Sequence, residues 1–187
     1  LIVNKINWIR KHEPDVYALT DKFVQHQDVI LKAFGAENFF TDLPSTSFYG
    51  AWDVSSANWD NSLLECFDLN PYQFGQPTPS GTQVGIITSV VAEQTGFPAG
   101  TPICVGAWVQ TCGFIGMGST LPGMASFTIG TAGLAILVLD KPMTGCGGLF
   151  TNHHAASEIW QLAGASITAA SSYRWFRDTI GTLEVEQ

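Results

Sequence analysis

The stretch that most constrains the fold is ASFTIGTAGLAILVLD, residues 125–140. An apolar run enters, the small residues Gly130, Thr131, Ala132 and Gly133 turn it, and an apolar run leaves. The pattern predicts two strands closed as a hairpin. Asn-Gly or Asp-Gly closes such a hairpin more readily, so a glycine turn with a threonine at its tip calls for another reason. Glycine permits positive φ and leaves no Cβ in the way of a ligand, exposed N–H groups can face an anion, and Thr131 adds a hydroxyl donor. A tight turn with no ligand is the alternative that the local sequence leaves open.

The chain has 187 residues, enough for one large domain or parts of two. It is 45% hydrophobic and 13% charged with a net charge of -8, which suits a soluble, well-buried α/β protein and not a disordered chain. The acidic balance argues against nucleic acid and anionic membrane as partners, because phosphate-rich surfaces need clustered Lys and Arg. A small anion held by backbone amides stays compatible with it. No apolar run approaches the length that crosses a bilayer. Cys66, Cys104, Cys112 and Cys146 form no C-x-x-C pair, so reduced thiols in a cytoplasmic setting are expected, two of them buried in apolar or glycine-rich runs. Leu1 leads straight into a helical pattern with no signal segment, and implies that upstream sequence has been removed.

Along the chain, helices are expected at 2–12, 15–22 and 27–34, the last ended by Gly35. Residues 36–58 read as a polar loop with short strands, and Asp60 or Asn61 as the cap of a helix carrying Leu63, Leu64 and Phe67. The connector NPYQFGQPTPSGTQ, with three prolines and two glycines, reads as irregular. Strand VGIIT, helix SVVAEQTG, buried strand ICVGA and glycine-bearing helix QTCGFIGMG follow. STLPG at 119–123 marks a domain boundary; beyond it come the hairpin, a GCGG loop, strand SEIWQLAG and helix ITAASSYRWFRDTI.

Several residue groups invite functional readings that the pattern does not support. His153 and His154 are adjacent, so on a strand they face opposite sides and do not chelate one metal; a surface or packing role is expected. His12 and His26 have no Cys or acidic partner at ligand spacing. Asp42 and Asp53 lie in a polar loop, where Asp ordinarily ties a turn through neighbouring backbone. Neither a nucleophile elbow nor a Walker phosphate loop is present. Trp52, Trp59 and Trp108 are of a kind that can stack on a sugar ring, with core packing the default for any one of them, and Trp108 stands out in a run of small residues, GAWVQTCG.

Taken in order, the segments KINWIRKHEPDVY, TDLPSTSFYGAWDVSSANW, TGFPAGTPICVGA, SFTIGTAG and SSYRWFRD resemble the FGGY family of carbohydrate kinases, in its xylulokinase-like and autoinducer-kinase-like branch. The resemblance implies a partial α/β chain of the actin-like, ribonuclease-H-like ATPase fold. Residues 1–122 would be the back half of the sugar-binding first domain and 123–187 the start of the nucleotide-binding second. It implies ATP and Mg²⁺ as cofactors, a small-molecule sugar as substrate, and either a second copy or the remaining segments of the same kinase as partner. Gly130, Thr131 and Gly133 would lie on the phosphates of ATP, which accounts for a turn without bulk. Gln110 and Trp108 would touch substrate. The family's proton-accepting aspartate falls on Val109, and no acid occurs between Glu93 and Asp140 to replace it. The first phosphate loop, which also positions Mg²⁺, and the adenine motif have no counterpart here. The chain is therefore expected to be inactive alone, with a non-catalytic sugar- or nucleotide-binding protein as the alternative.

Overall fold

The computed structural model describes residues 1–156 and 158–181. Three helices come first: α1 (Ile2–His12), α2 (Pro14–Leu19) and α3 (His26–Phe34). Val3 and Ile6 turn the inner face of α1 into the core. Pro14 occupies the first turn of α2, where its missing N–H costs nothing, and α2 ends at Leu19, short of the expected Lys22, because Thr20 is extended. Gly35 closes α3 at φ +126°, and a Cβ there would stand 2.5 Å from the Ile86 carbonyl oxygen.

Strand β1 (Phe40–Asp42) runs into the short helix α4 (Leu43–Thr46), capped by the Asp42 side chain. The hairpin β2 (Trp52–Asp53) and β3 (Asn58–Trp59) precedes α5 (Asn61–Cys66), which Asp60 caps as expected. The connector is more ordered than its prolines imply. Asn70 caps a 3-10 turn at Pro71–Gln73, and β4 (Gln76–Thr78) pairs in parallel with β1. Pro77 is tolerated because β1 is the sole strand partner of β4 among the described residues. Strand β5 (Gln83–Ile86), helix α6 (Ser89–Thr95) and strand β6 (Pro102–Cys104) complete this part, with Gly96 in the left-handed region ending α6.

Helix α7 (Val109–Gly116) then leads to a second sheet made of β7 (Ala125–Ile129), β8 (Gly133–Leu139), β9 (Phe150–His153) and β10 (Trp160–Ser166), followed by α8 (Ala170–Thr179). The sheet is antiparallel in the order β7-β8-β10-β9, and the predicted hairpin is its first pair. Ser157, the first residue of the expected strand SEIWQLAG, and residues 182–187 lie outside the described residues.

Three apolar clusters hold these layers. One joins α1 to Tyr49, Leu64 and Phe74, with Trp59 stacked on Phe74 at 4.7 Å. The second packs Ala36, Val84, Ile87, Ile103 and Val105. The third seats Phe114 of α7, fully buried, on Leu134, Ile136, Val138 and Ala163 of the second sheet. Cysteine placement departs from expectation: Cys66, Cys104 and Cys112 are exposed, Cys146 is half-buried, and all four are free thiols. Cys104 lies on the outward side of the short strand β6 and Cys112 on the outward side of α7, so an apolar sequence neighbourhood did not make either one inward.

Candidate functional site

The start of α7 is fixed from a distance. The Trp108 N–H donates to Asp42 Oδ1 at 3.1 Å, the same oxygen that accepts the Ser45 N–H at 2.9 Å, and Gln27 Nε2 donates to Asp42 Oδ2. Asp42 is wholly buried, and three donors on a carboxylate are what such burial demands. The Trp108 indole packs edge-on against Phe48 at 4.7 Å. With α7 so anchored, its first residue, Val109, projects outward and is 72% exposed. An isopropyl group there accepts no proton.

Gln110 meets the hairpin. Its Oε1 accepts from Thr128 Oγ1 at 3.1 Å, and Thr128 lies on β7 two residues before Gly130. Thr111, next along the helix, is buried and accepts from Gln161 Nε2 of β10 at 3.1 Å. One helical turn thus contacts both β7 and β10.

The turn itself leans on α8. The Gly130 and Thr131 carbonyls accept the Ala170 and Ala169 N–H groups at 3.0 and 2.9 Å, and Ser171 Oγ donates to the Thr131 carbonyl at 2.9 Å. The Gly130 N–H is taken by the Ala132 carbonyl at 2.9 Å. The amides of Thr131 and Ala132, both exposed, bond to nothing among the described residues. Two carbonyls that would repel an anion are therefore engaged by the start of α8, and two N–H groups of exposed residues are left unpartnered among the described residues. Neither Gly130 nor Gly133 takes the positive φ that glycine permits. The small residue matters at Gly133 for space instead: a Cβ would press on Ala169 Cβ at 3.3 Å and on the Phe127 ring at 3.6 Å.

Other sequence candidates fall elsewhere. Asp53 is exposed and holds its own turn through Ser55 N–H and Ser56 Oγ, which keep its carboxyl below the usual range, Ser56 contributing most. His153 and His154 are both buried, and burial lowers the basicity of each. Among the described residues no group of three or more His, Cys, Asp or Glu side chains is placed to hold a metal ion. The sequence around Asp42 predicts an ordinary turn residue, and Thr128 and Gln161 carry no local signal of their roles. The Asp-Leu-Pro-Ser order signals a helix cap, but nothing local ties Asp42 to Trp108, 66 residues away.

The mixed layers, the glycine-bearing hairpin and the helix beside it are those of a partial chain of the actin-like ATPase fold. A family model for the FGGY family of carbohydrate kinases, N-terminal domain, matches residues 2–116, and the chain belongs to that family. Autoinducer-2 kinase of Yersinia enterocolitica is 26% identical over 175 residues, covering 93% of this chain and 33% of its own length. Gluconokinase of Bacillus subtilis is 23% identical over 184 residues, covering 98% and 36%. Among solved structures, xylulose kinase from Rhodospirillum rubrum superposes with a TM-score of 0.87 at 22% identity, covering 97% of this chain and 37% of that one. The chain spans about a third of the length of the curated relatives it matches. Among the described residues no helix is long and apolar enough to cross a membrane.

Proposed function

We propose that this chain is a segment of a cytoplasmic kinase that moves the γ-phosphoryl group of ATP to a sugar hydroxyl, and that these 187 residues alone do not complete the reaction. In this reading residues 1–122 belong to the sugar-binding unit and 123–187 open the nucleotide-binding unit, joined where Phe114 seats α7 on the second sheet. The remaining segments of the kinase, or a second copy of the chain, complete the site. The observation that carries the proposal is the Thr128–Gln110 hydrogen bond, which links the helix expected to face sugar to the strand that enters the turn expected to face phosphate.

ATP, when bound, supplies the transferable phosphoryl group. The residues present fit its charged tail: the Thr131 and Ala132 amides have no partner among the described residues, Thr131 adds a hydroxyl, and a Cβ at Gly130 would meet only the Ala132 carbonyl oxygen, at 3.7 Å. Gln110, with its carbonyl committed to Thr128, keeps its amide N–H₂ to donate to a sugar hydroxyl, and the Trp108 ring offers an apolar wall. Proton removal from that hydroxyl needs a base of matched pKa, and Val109 provides none. Among the described residues no group of three or more His, Cys, Asp or Glu side chains is placed to hold Mg²⁺.

Val109 also favours a second reading, a kinase-derived protein that binds sugar or nucleotide without chemistry. An ADP-release assay on the isolated chain with pentoses and the autoinducer sugar is expected to give no turnover; robust turnover contradicts both readings. Val109→Asp, tested in a form completed by the remaining kinase segments, separates them. Under the second reading the unaltered completed form binds sugar without turnover, and the variant gains activity.

A further inference from the structure

Asp28, in the first turn of α3, is wholly buried and takes no part in the site described above. Its Oδ2 accepts from Thr41 Oγ1 at 2.5 Å and from the Gln25 N–H at 3.0 Å. Its Oδ1 is out of reach of water and has no donor among the described residues. An ionised carboxylate shut away from water needs donors on both oxygens, so this packing accommodates the neutral acid. Gly75 closes the position, since a Cβ there would collide with Thr41 Oγ1 and stand 3.0 Å from Asp28 Oδ2. The titratable groups that face Asp28 are Asp42 of β1 and Tyr49, beyond α4, whose hydroxyl is also buried without a partner. Neither α3 nor the Phe74–Gly75 corner adds another, and no cation among the described residues offsets the acid. Burial, with the Asp42 charge adding to it, lifts the Asp28 carboxyl to about 6.

Two adjacent rungs tie α3 to β1. Thr41 donates to Asp28, and Gln27, the residue before Asp28, donates through Nε2 to Asp42 Oδ2. Asp42 Oδ1 in turn accepts the Trp108 N–H at the start of α7. Ionising Asp28 places a second buried negative charge on the rung next to Asp42 and leaves Oδ1 without a donor. Parting α3 from β1 relieves both, and it withdraws Gln27 from Asp42. Asp42 then loses a donor that fixes its carboxylate, and with it the geometry that holds the Trp108 N–H. We propose that Asp28 is a proton-dependent latch on α7: protonated, it keeps the two rungs closed and the first turn of α7 seated, and on losing its proton it frees that turn, with Val109 and Gln110, from Asp42. The latch concerns how α7 is seated and does not depend on phosphoryl transfer.

The test is hydrogen exchange of the labelled 187-residue chain, read as the protection factor of the Trp108 amide from about pH 5 to about pH 7. For a carboxyl that titrates at about 6 when latched and at 3.8 when released, linkage sets the fall in Trp108 protection over that range at about tenfold. The amides of Ile6 in α1 and Val138 in β8 are expected to show no matching fall. Asp28→Asn, which cannot ionise, is expected to remove the fall at Trp108; the two buried histidines are present in both proteins, so their effect cancels in the comparison. If Asp28→Asn does not fold, the wild type decides alone: the Asp28 carboxyl carbon and the Trp108 amide should titrate with one midpoint, near 6. A level Trp108 profile in the wild type, a fall that persists in Asp28→Asn, an equal fall at Ile6 and Val138, or separate midpoints overturns the latch.

Discussion

Asp28 and Asp42 are both wholly buried, yet they behave differently. Asp42 receives three donors, whereas Asp28 takes Thr41 Oγ1 at 2.5 Å and the Gln25 N–H at 3.0 Å on one oxygen and leaves Oδ1 unpartnered among the described residues. Desolvation, outweighing those hydrogen bonds, raises the Asp28 pKa from 3.8 to about 6, and the Asp42 charge adds to the rise. The folded state therefore binds a proton more tightly than the unfolded state, and this group's contribution to stability is greatest below pH 4. It declines as pH climbs to about 6, by about 3 kcal/mol in all. The two buried histidines, depressed by burial, act with the opposite sign as pH falls below their ordinary 6.5. The Asp28 contribution is accordingly read as the difference between wild type and Asp28→Asn in urea melts from pH 4 to 7.5. A wild-type penalty that grows with pH is expected, and a constant difference contradicts it. Asp42→Ala strands the Trp108 and Ser45 N–H groups and is expected to cost about 2–4 kcal/mol. A loss under about 0.5 kcal/mol, typical of an unimportant surface site, would show that Asp42 does not anchor α7. Little of this was legible in the sequence, because a carboxylate's partners are set by packing and not by its neighbours in the chain.

Helix α7 is the element on which the site turns, and its inner face is small. Phe114, at 0% exposure, is the one large side chain it inserts into the second sheet, and the buried Thr111–Gln161 hydrogen bond fixes its rotation. Phe114→Ala is expected to destabilise the chain by about 3–5 kcal/mol. It should also broaden the Gln110 and Thr128 resonances; a fully folded variant with unchanged signals there would mean the helix is seated by other contacts. The element pattern itself was readable: apolar spacing and caps gave α1, α3, α5 and α6, and the small-residue turn gave the β7–β8 hairpin. Missed were β4 and the 3-10 turn, because proline was weighed as a breaker although an edge strand and a first helical turn both accept it. At Gly85 close approach, not turn geometry, demands glycine, since a Cβ would meet the Gly35 carbonyl at 2.6 Å. That, too, depends on a neighbour distant in sequence.

Across the whole molecule, the first part meets the second sheet through Phe114, Gln110 and Thr111 of α7, the Val54–Trp160 hydrogen bond and the Phe48 ring against Phe150. The family and its fold were legible from the order of weak motifs, none of which is specific alone. The capture of the turn carbonyls by the start of α8 was not, since it joins residues some 40 positions apart. The proposed kinase site requires the Thr131 and Ala132 amides to receive a nucleotide's phosphates. Titrating the ¹⁵N-labelled chain with ATP tests this directly: the Thr131 and Ala132 amide signals are predicted to shift saturably and more than any in the first unit. Binding of ATP that leaves both signals unmoved, or no binding by a form completed with the remaining kinase segments, would contradict it.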